Sequence, residues 1–144
     1  MGRVRVLILI DKLDYHGASL NGPARYFGEL VRRLDPEEFT SHLVTLRASE
    51  AGRAMLAERG IGTETLDFER AGPMVLPRLI RYITKQNIDL LQTSGYGAGI
   101  VGRIAARLTG RPCVIRENWV DPSMSAPVRW VERLLSRITT RAIA

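Results

Sequence analysis

Four stretches of this chain carry groups whose type and spacing could do chemistry. The first is Asn21-Gly22-Pro23, which puts a glycine at the start of a helical pattern. A residue without Cβ lets a ligand approach the backbone, and the unpaired N–H groups of a helix start attract anions. The functional reading is contact with a phosphate or a sugar hydroxyl; the plainer alternative is a tight turn with a favourable helix start. The second is Ser94-Gly95-Tyr96-Gly97-Ala98-Gly99, a turn after an apolar run and before another helical pattern. Read from Gly95, the dinucleotide fingerprint G-x-G-x-x-G fails at Ile100. Read from Gly97 it matches through Gly102, but late, inside the helix. No acidic residue ends the next strand to hold a ribose. A dinucleotide site therefore stands against a simpler reading, in which small residues seat a helix closely on a sheet.

The third stretch, Arg116-Glu117-Asn118-Trp119-Val120-Asp121, follows an apolar strand. Glu117 or Asp121 could accept a proton or a sugar hydroxyl hydrogen bond. Asn118 could recognise a hydroxyl but cannot act as a general base. A loop whose charges pair with one another is the alternative. The fourth is the last helical pattern, 127–140. Val128, Val131, Leu135, Ile138 and Ala142 line one face, while Arg129, Arg133, Arg137 and Arg141 recur on the opposite one. At about 100° per residue, Trp130 falls among the arginines. That arrangement resembles an interfacial contact with an anionic membrane or a docking surface for a partner. A solvated face, with Trp130 packed on a neighbouring domain, is the alternative.

Two histidines occur. His42 begins a strand and reads as structural; His16 lies in the loop after the first strand, between Tyr15 and Gly17. No Ser-His-Asp spacing and no metal-ligand cluster emerges. The single cysteine, Cys113, allows no internal disulfide and reads as an inert packed thiol.

These residues need elements to position them. Residues 4–10 form an apolar run, branched on both faces, which predicts a central strand of a parallel sheet. A polar loop leads to a helix over 23–34, ended by Asp35-Pro36. A second strand covers 42–46. A short helix runs from the Ser49-Glu50 cap to about Arg59, stopped by Gly60. A weaker third strand covers 63–68. Gly72-Pro73 breaks the chain, and a third helix carries Leu76, Leu79, Ile80 and Ile83. The fourth strand is 88–93. The next helix is predicted to bury Ile100, Ile104 and Leu108, and Gly110 stops it. A fifth strand covers 112–115. Ala142-Ile143 reads as the start of another strand or connection, so a fragment of a longer chain is expected. Alternating strands and helices imply an α/β, doubly wound parallel sheet, Rossmann-like, with helices on both faces. The order three-two-one-four-five would bring the first, fourth and fifth strand loops to one edge, the place where such sheets bind ligands.

Composition bounds the function. The chain has 144 residues, 45% hydrophobic and 25% charged, enough for one globular domain with a real core. No run approaches the roughly 18 apolar residues of a membrane span, and the first strand leads into Asp11-Lys12 and not a cleavage site. A cytoplasmic protein is the simplest expectation. The net charge of +6 comes almost wholly from arginines, since only Lys12 and Lys85 are lysines. Arginine suits phosphates and anionic surfaces. Without an RNA-binding aromatic signature, zinc-finger spacing or recognition helix, nucleic acid is not expected as a partner.

The combination of residues 3–8, Asn21-Gly22-Pro23-Ala24-Arg25-Tyr26 and Leu30-Val31-Arg32-Arg33-Leu34 resembles the opening of retaining GT-B glycosyltransferases, the glycogen synthase and mannosyltransferase-like group. Asp89 to Thr93, Gly99 to Gly110 and Arg111 to Ile115 are similar to that family's fourth strand, following helix and fifth strand. The resemblance implies the N-terminal, acceptor-binding half of a two-domain enzyme that needs no metal or other cofactor. The nucleotide-sugar donor would be held mostly by the other half. It implies a sugar or lipid-linked acceptor framed by Thr93, Ser94, Tyr96, Arg116, Glu117 and Asn118, with Gly22 approaching donor phosphate or the reacting sugar; Asn21 and His16 are candidates by their place in the first loop, and His16 does not match the family's histidine. It also implies work at the inner face of the cell membrane through basic surfaces. Two positions depart from the family: Asn21 stands where its first glycine would be, and Asn118 where a histidine is common. The rivals are a non-catalytic α/β module docking through the arginine and tryptophan helix, and a small dinucleotide-binding domain.

Overall fold

The computed structural model describes residues 2–116 and 125–143. Its first strand, β1 (Val4–Lys12), is the middle of the molecule. It pairs in parallel with β4 (Phe39–Arg47) on one side and β6 (Leu90–Ser94) on the other. Because strand side chains alternate, β1 feeds two cores. Leu7 and Leu9 point to one face, where they meet Val75, Leu79 and Ile83 of α4 (Val75–Lys85) and Ala98, Ala105 and Ala106 of α5 (Tyr96–Thr109). Val6, Ile8 and Ile10 point to the other, against Ala24 and Phe27 of α1 (Gly22–Arg33) and Leu56 of α2 (Glu50–Ala57). The seven-residue apolar run thus marks a strand covered on both faces, as its composition predicts.

With β5 (Thr63–Thr65), β7 (Cys113–Arg116) and β8 (Arg141–Ile143) the sheet has the order β5-β4-β1-β6-β7-β8, and every described pairing in it is parallel. This is the expected order with one strand added at the edge. Local signals start two of the helices. Asn21 Oδ1 accepts from the Ala24 amide at 2.8 Å to cap α1, and Ser49 Oγ accepts from the Gly52 amide at 2.9 Å to cap α2.

Five readings are corrected. The loop after β1 contains a two-stranded hairpin, β2 (Asp14–Tyr15) with β3 (Ser19–Leu20). Leu13 and Leu20 bury into the α1/α2 core and hold it down. The third strand stops at Thr65, because Asp67 takes a left-handed backbone, φ +54°, and Phe68 opens the short α3 (Phe68–Ala71). The fourth strand starts at Leu90 rather than Ile88 and extends through Ser94, set by its register with β1. The last helix, α6 (Ala126–Ser136), is shorter than 127–140: Arg137 is its C-cap and Arg141 lies in β8, so Arg141 does not continue the arginine face. The fifth concerns α5. Its sheet side is Ala98, Gly102, Ala105 and Ala106, while Leu108 is 65% exposed. Small residues let this helix descend onto the strands until Gly102 meets Thr93 and Leu9.

Two polar ties secure the outer helices. His42 Nδ1 and Tyr82 Oη lie 2.9 Å apart, joining β4 to α4. Burial lowers the His42 pKa and pushes the Tyr82 phenol up to about 12. Arg103, 1% exposed, donates from Nη2 to Glu132 of α6 at 2.7 Å and from Nε to the Gly99 carbonyl at 2.8 Å. A charge this deep requires such partners.

The close seat of α5 is testable. A Cβ at residue 102 would overlap Thr93 Cγ2, a branched atom with nowhere to retreat. Gly102→Ala is expected to destabilise the fold by about 1–3 kcal/mol despite alanine's better helix propensity, measured by urea denaturation. An unchanged midpoint would show that the helix can lift freely.

Candidate functional site

The ligand edge of an open parallel sheet lies beyond the carboxyl ends of its strands, at the point where connections diverge. Here that point is between β1 and β6, ending in Asp11-Lys12 and Ser94-Gly95. It is already filled. The Asp11 carboxylate accepts from the amides of Ala98 and Gly97 (the latter at 3.3 Å), so β1 caps the N-terminus of α5 with its own anion. The glycines around it follow from this contact. A Cβ on Gly95 would strike Asp11 Oδ2, and one on Gly97 would lie 3.1 Å from Asp11 Oδ1. Gly95 also holds φ +101°, which side-chain-bearing residues avoid.

The sequence-predicted residues divide accordingly. Gly22 is exposed at the start of α1, and nothing lies within 4 Å of the Cβ it lacks. Asn21 is buried, with Oδ1 bound to Ala24 N and Nδ2 donating to the Lys12 carbonyl at 2.6 Å, so its amide is occupied internally. Thr93 and Ser94 are buried; Thr93 sits beneath α5 against Gly102 and forms packing, not an accessible surface. Tyr96 is exposed at the start of α5. His16 is exposed at the tip of the β2–β3 hairpin, with φ +50° beside Gly17 at +76°. Glu117, Asn118, Trp119 and Asp121 lie outside the described residues. Cys113 is buried, and burial pushes its thiol up to about 11, which leaves it protonated and unreactive at neutral pH.

Arg116, at the end of β7, stacks its guanidinium 3.8 Å from the Tyr26 ring centroid and 5.9 Å from that of Phe27. Tyr26 lies one helical turn after Gly22, so this cation is held on the same side of α1. Among the described residues no carboxylate makes an ion pair with Arg116.

An open cavity lies one strand over, outside the ends of β1 and β4. It has a volume of about 410 Å³ and is lined by Lys12, Asp14, His16, Arg47, Asp67 and Glu69 together with Ala48 and Ser49. Lys12 and Arg47 are register partners. Burial alone would raise the Asp14 carboxyl, but the Gly17 and Ser49 amides, the Ser49 hydroxyl and nearby His16 hold it below the ordinary carboxylate value. Arg47, Asp67 and Glu69 escaped sequence reasoning. The available signal was weak: a cation at the end of the second strand, matching Lys12 at the end of the first.

The family of glycosyl transferase 4-like domains matches residues 21–144. The chain belongs to this family. A galactosyltransferase of Escherichia coli, named UDP-Gal:alpha-D-GlcNAc-diphosphoundecaprenol alpha-1,3-galactosyltransferase, is 35% identical over 72 residues, covering 45% of this chain and 19% of that protein. Among solved structures, HepE of Anabaena in complex with UDP superposes with a TM-score of 0.76 at 17% identity, over 98% of this chain and 37% of that one. MurG of Acinetobacter baumannii does so with a TM-score of 0.65 at 17% identity, over 96% and 40%. These likenesses show the fold. The chain spans about two fifths of those structures and about a fifth of the galactosyltransferase.

Within this glycosyl transferase 4-like domain the dinucleotide alternative loses its site, because the amides that would hold a pyrophosphate hold Asp11. Among the described residues no group of three or more histidine, cysteine, aspartate or glutamate side chains could hold a metal ion. No described helix is long and apolar enough to cross a membrane.

The internal cap has a measurable consequence. Asp11→Ala should lower the unfolding free energy by about 1–2 kcal/mol, the cost of removing an N-terminal helix cap, and Gly95→Ala should also destabilise. Thermal denaturation of both variants reads this, and native stability in Asp11→Ala would leave the glycine-rich turn without its explanation.

Proposed function

We propose that this domain is the acceptor-side wall of a retaining glycosyltransferase that moves a sugar from a nucleotide-sugar donor, and that the donor's nucleotide is held mostly by a second domain. Family membership supports the class of reaction. HepE has been solved with UDP and with UDP-glucose, and the Escherichia coli relative is named for a UDP-galactose donor and a diphosphoundecaprenol-linked acceptor. A UDP-sugar and a lipid-linked acceptor are therefore the substrates to try first.

The observation that carries the reading is Gly22. Neither its backbone angle nor its packing calls for glycine: φ is not positive, and a Cβ would meet open space. A glycine that the fold does not require, at the exposed start of a helix whose dipole favours anions, fits close approach by a donor phosphate or the reacting sugar. Arg116, braced on Tyr26, supplies a positive charge near the same end of α1. Tyr96 is the exposed member of the adjacent turn. Glu117 and Asn118 remain candidates for the acceptor hydroxyl.

A peripheral membrane contact through α6 completes the proposal, with work at the cytoplasmic face. Trp130 is 64% exposed and Leu134 42%, so an apolar pair stands on the outer side of α6 next to Arg133 and Arg137. Such a pair can enter the headgroup region while the arginines meet anionic lipid. A stand-alone module docking a protein through α6 is the second reading, and the same surface supports it.

Two measurements test these statements. In the full-length protein, release of UDP from a panel of UDP-sugars with a diphospholipid-linked N-acetylglucosamine acceptor should be seen. Gly22→Ala should slow it by about tenfold or more while the melting temperature holds or rises slightly. Full activity in that variant would remove Gly22 from the site. For the membrane, Arg133→Glu with Arg137→Glu should weaken co-sedimentation with anionic vesicles at low salt by about tenfold or more. Equal sedimentation of both proteins would leave α6 as a protein-docking or solvated face.

A further inference from the structure

The cavity outside β1 and β4 is a feature of the ligand edge that no step above uses. At the switch point itself the α5 amides are already taken by Asp11, whereas this cavity lies one strand over. Its volume of about 410 Å³ falls within the roughly 300–1,000 Å³ of ordinary ligand sites.

The lining decides what chemistry it suits. Both signs of charge line it: Lys12 and Arg47, with the imidazole of His16, face Asp14, Asp67 and Glu69. Arg47 Nε lies 3.7 Å from Glu69 Oε1, and its guanidinium lies 5.0 Å from the Phe68 ring centroid. Asp14 is satisfied by the Gly17 and Ser49 amides. The Lys12 ammonium lies 5.3 Å from the Tyr15 ring centroid and makes no ion pair among the described residues. A phosphate would be repelled by three carboxylates, and a metal ion by the cations. A neutral ring bearing several hydroxyls matches both signs, since each hydroxyl donates to a carboxylate and accepts from a cation.

Backbone geometry points the same way. Three described non-glycine residues hold positive φ: His16, Asp67 and Asn87. Two of them line this one cavity. Asp67 stands at the start of α3 without capping it, so its carboxylate is not committed to the helix it precedes. The one ion pair its Oδ2 makes among the described residues is with Arg70 Nε, at 3.7 Å on the exposed surface.

We infer that this cavity is a binding site for a sugar ring, held chiefly by Asp67, Glu69 and Lys12, separate from the Gly22 end of the domain. The inference rests on the glycosyltransferase reading for its biological role, where it would receive a saccharide of the acceptor, but sugar binding by the cavity stands by itself.

The test uses amide chemical shifts of the 144-residue chain. Methyl glycosides of glucose, galactose and N-acetylglucosamine are titrated in turn, and inorganic pyrophosphate separately at matched ionic strength. A glycoside should shift the amides of Gly17, Ser49 and Glu69. Asp67→Asn should weaken that response about tenfold, as should Lys12→Met. Asparagine tolerates the left-handed backbone at residue 67, so the first variant keeps the fold. Response to pyrophosphate alone, or to none of the probes, overturns the inference. In the full-length enzyme, transfer with an acceptor KM untouched by Asp67→Asn overturns the cavity's acceptor role while sparing the glycosyltransferase reading. Glycoside binding in a full-length protein without transfer activity does the reverse.

Discussion

The bond between the Asp11 carboxylate and the first amides of α5 is the contact on which the working edge of this domain depends. A helix start with unpaired N–H groups, set at the switch point of a parallel sheet, is the natural place for a phosphate. This chain puts its own carboxylate there, next to the end of its central strand. The consequences propagate outward. Gly95 must lack a side chain because Asp11 occupies its Cβ space, Gly97 fits tightly against the same carboxylate, and Gly102 must lack one because α5 lies low on Thr93. A glycine pattern that looks like a nucleotide fingerprint is thus produced by close packing and an internal cap.

Closing the switch point redistributes the surface left for substrates. On one side stands the start of α1, with exposed Gly22 and the Arg116–Tyr26 stack. On the other lies the charged cavity between the β2–β3 hairpin and α3. Both are polar rims on a sheet whose two cores cover the middle of β1, Val6 to Ile10. An open parallel sheet with polar rims at this edge is in keeping with the family the chain belongs to.

Much of the fold was legible because β1 and the helices carry strong one-dimensional signals. The unbroken apolar run at 4–10 demands cover on two faces, Asn21 and Ser49 announce helix starts, and Gly110 ends α5 in a left-handed turn. The misreadings share a cause. The stripe Ile100, Ile104 and Leu108 is a sound helical periodicity, yet depth of packing favoured the alanine and glycine side. The reading of α6 ran past Ser136 because nothing in the local pattern competes with helix there; what ends it is the β7 edge, which draws Thr140 to Cys113 and Arg141–Ile143 into the sheet. The site was less legible still. Asn21, Thr93 and Ser94 are the right residue types at the right edge, but they are buried, while Arg47, Asp67 and Glu69 carry no motif and meet only through the fold.

By itself the sequence determined the parallel sheet, its strand order, the exposed glycine at the start of α1 and the family of the chain, because these follow from periodicity, capping chemistry and local residue pattern. Only the tertiary structure decided which side of α5 is buried, that Asp11 rather than a ligand holds its N-terminus, and where an open cavity remains. Those outcomes depend on which groups first reach a shared space, and residues 11 and 98, or 12 and 69, become neighbours only when the sheet is assembled.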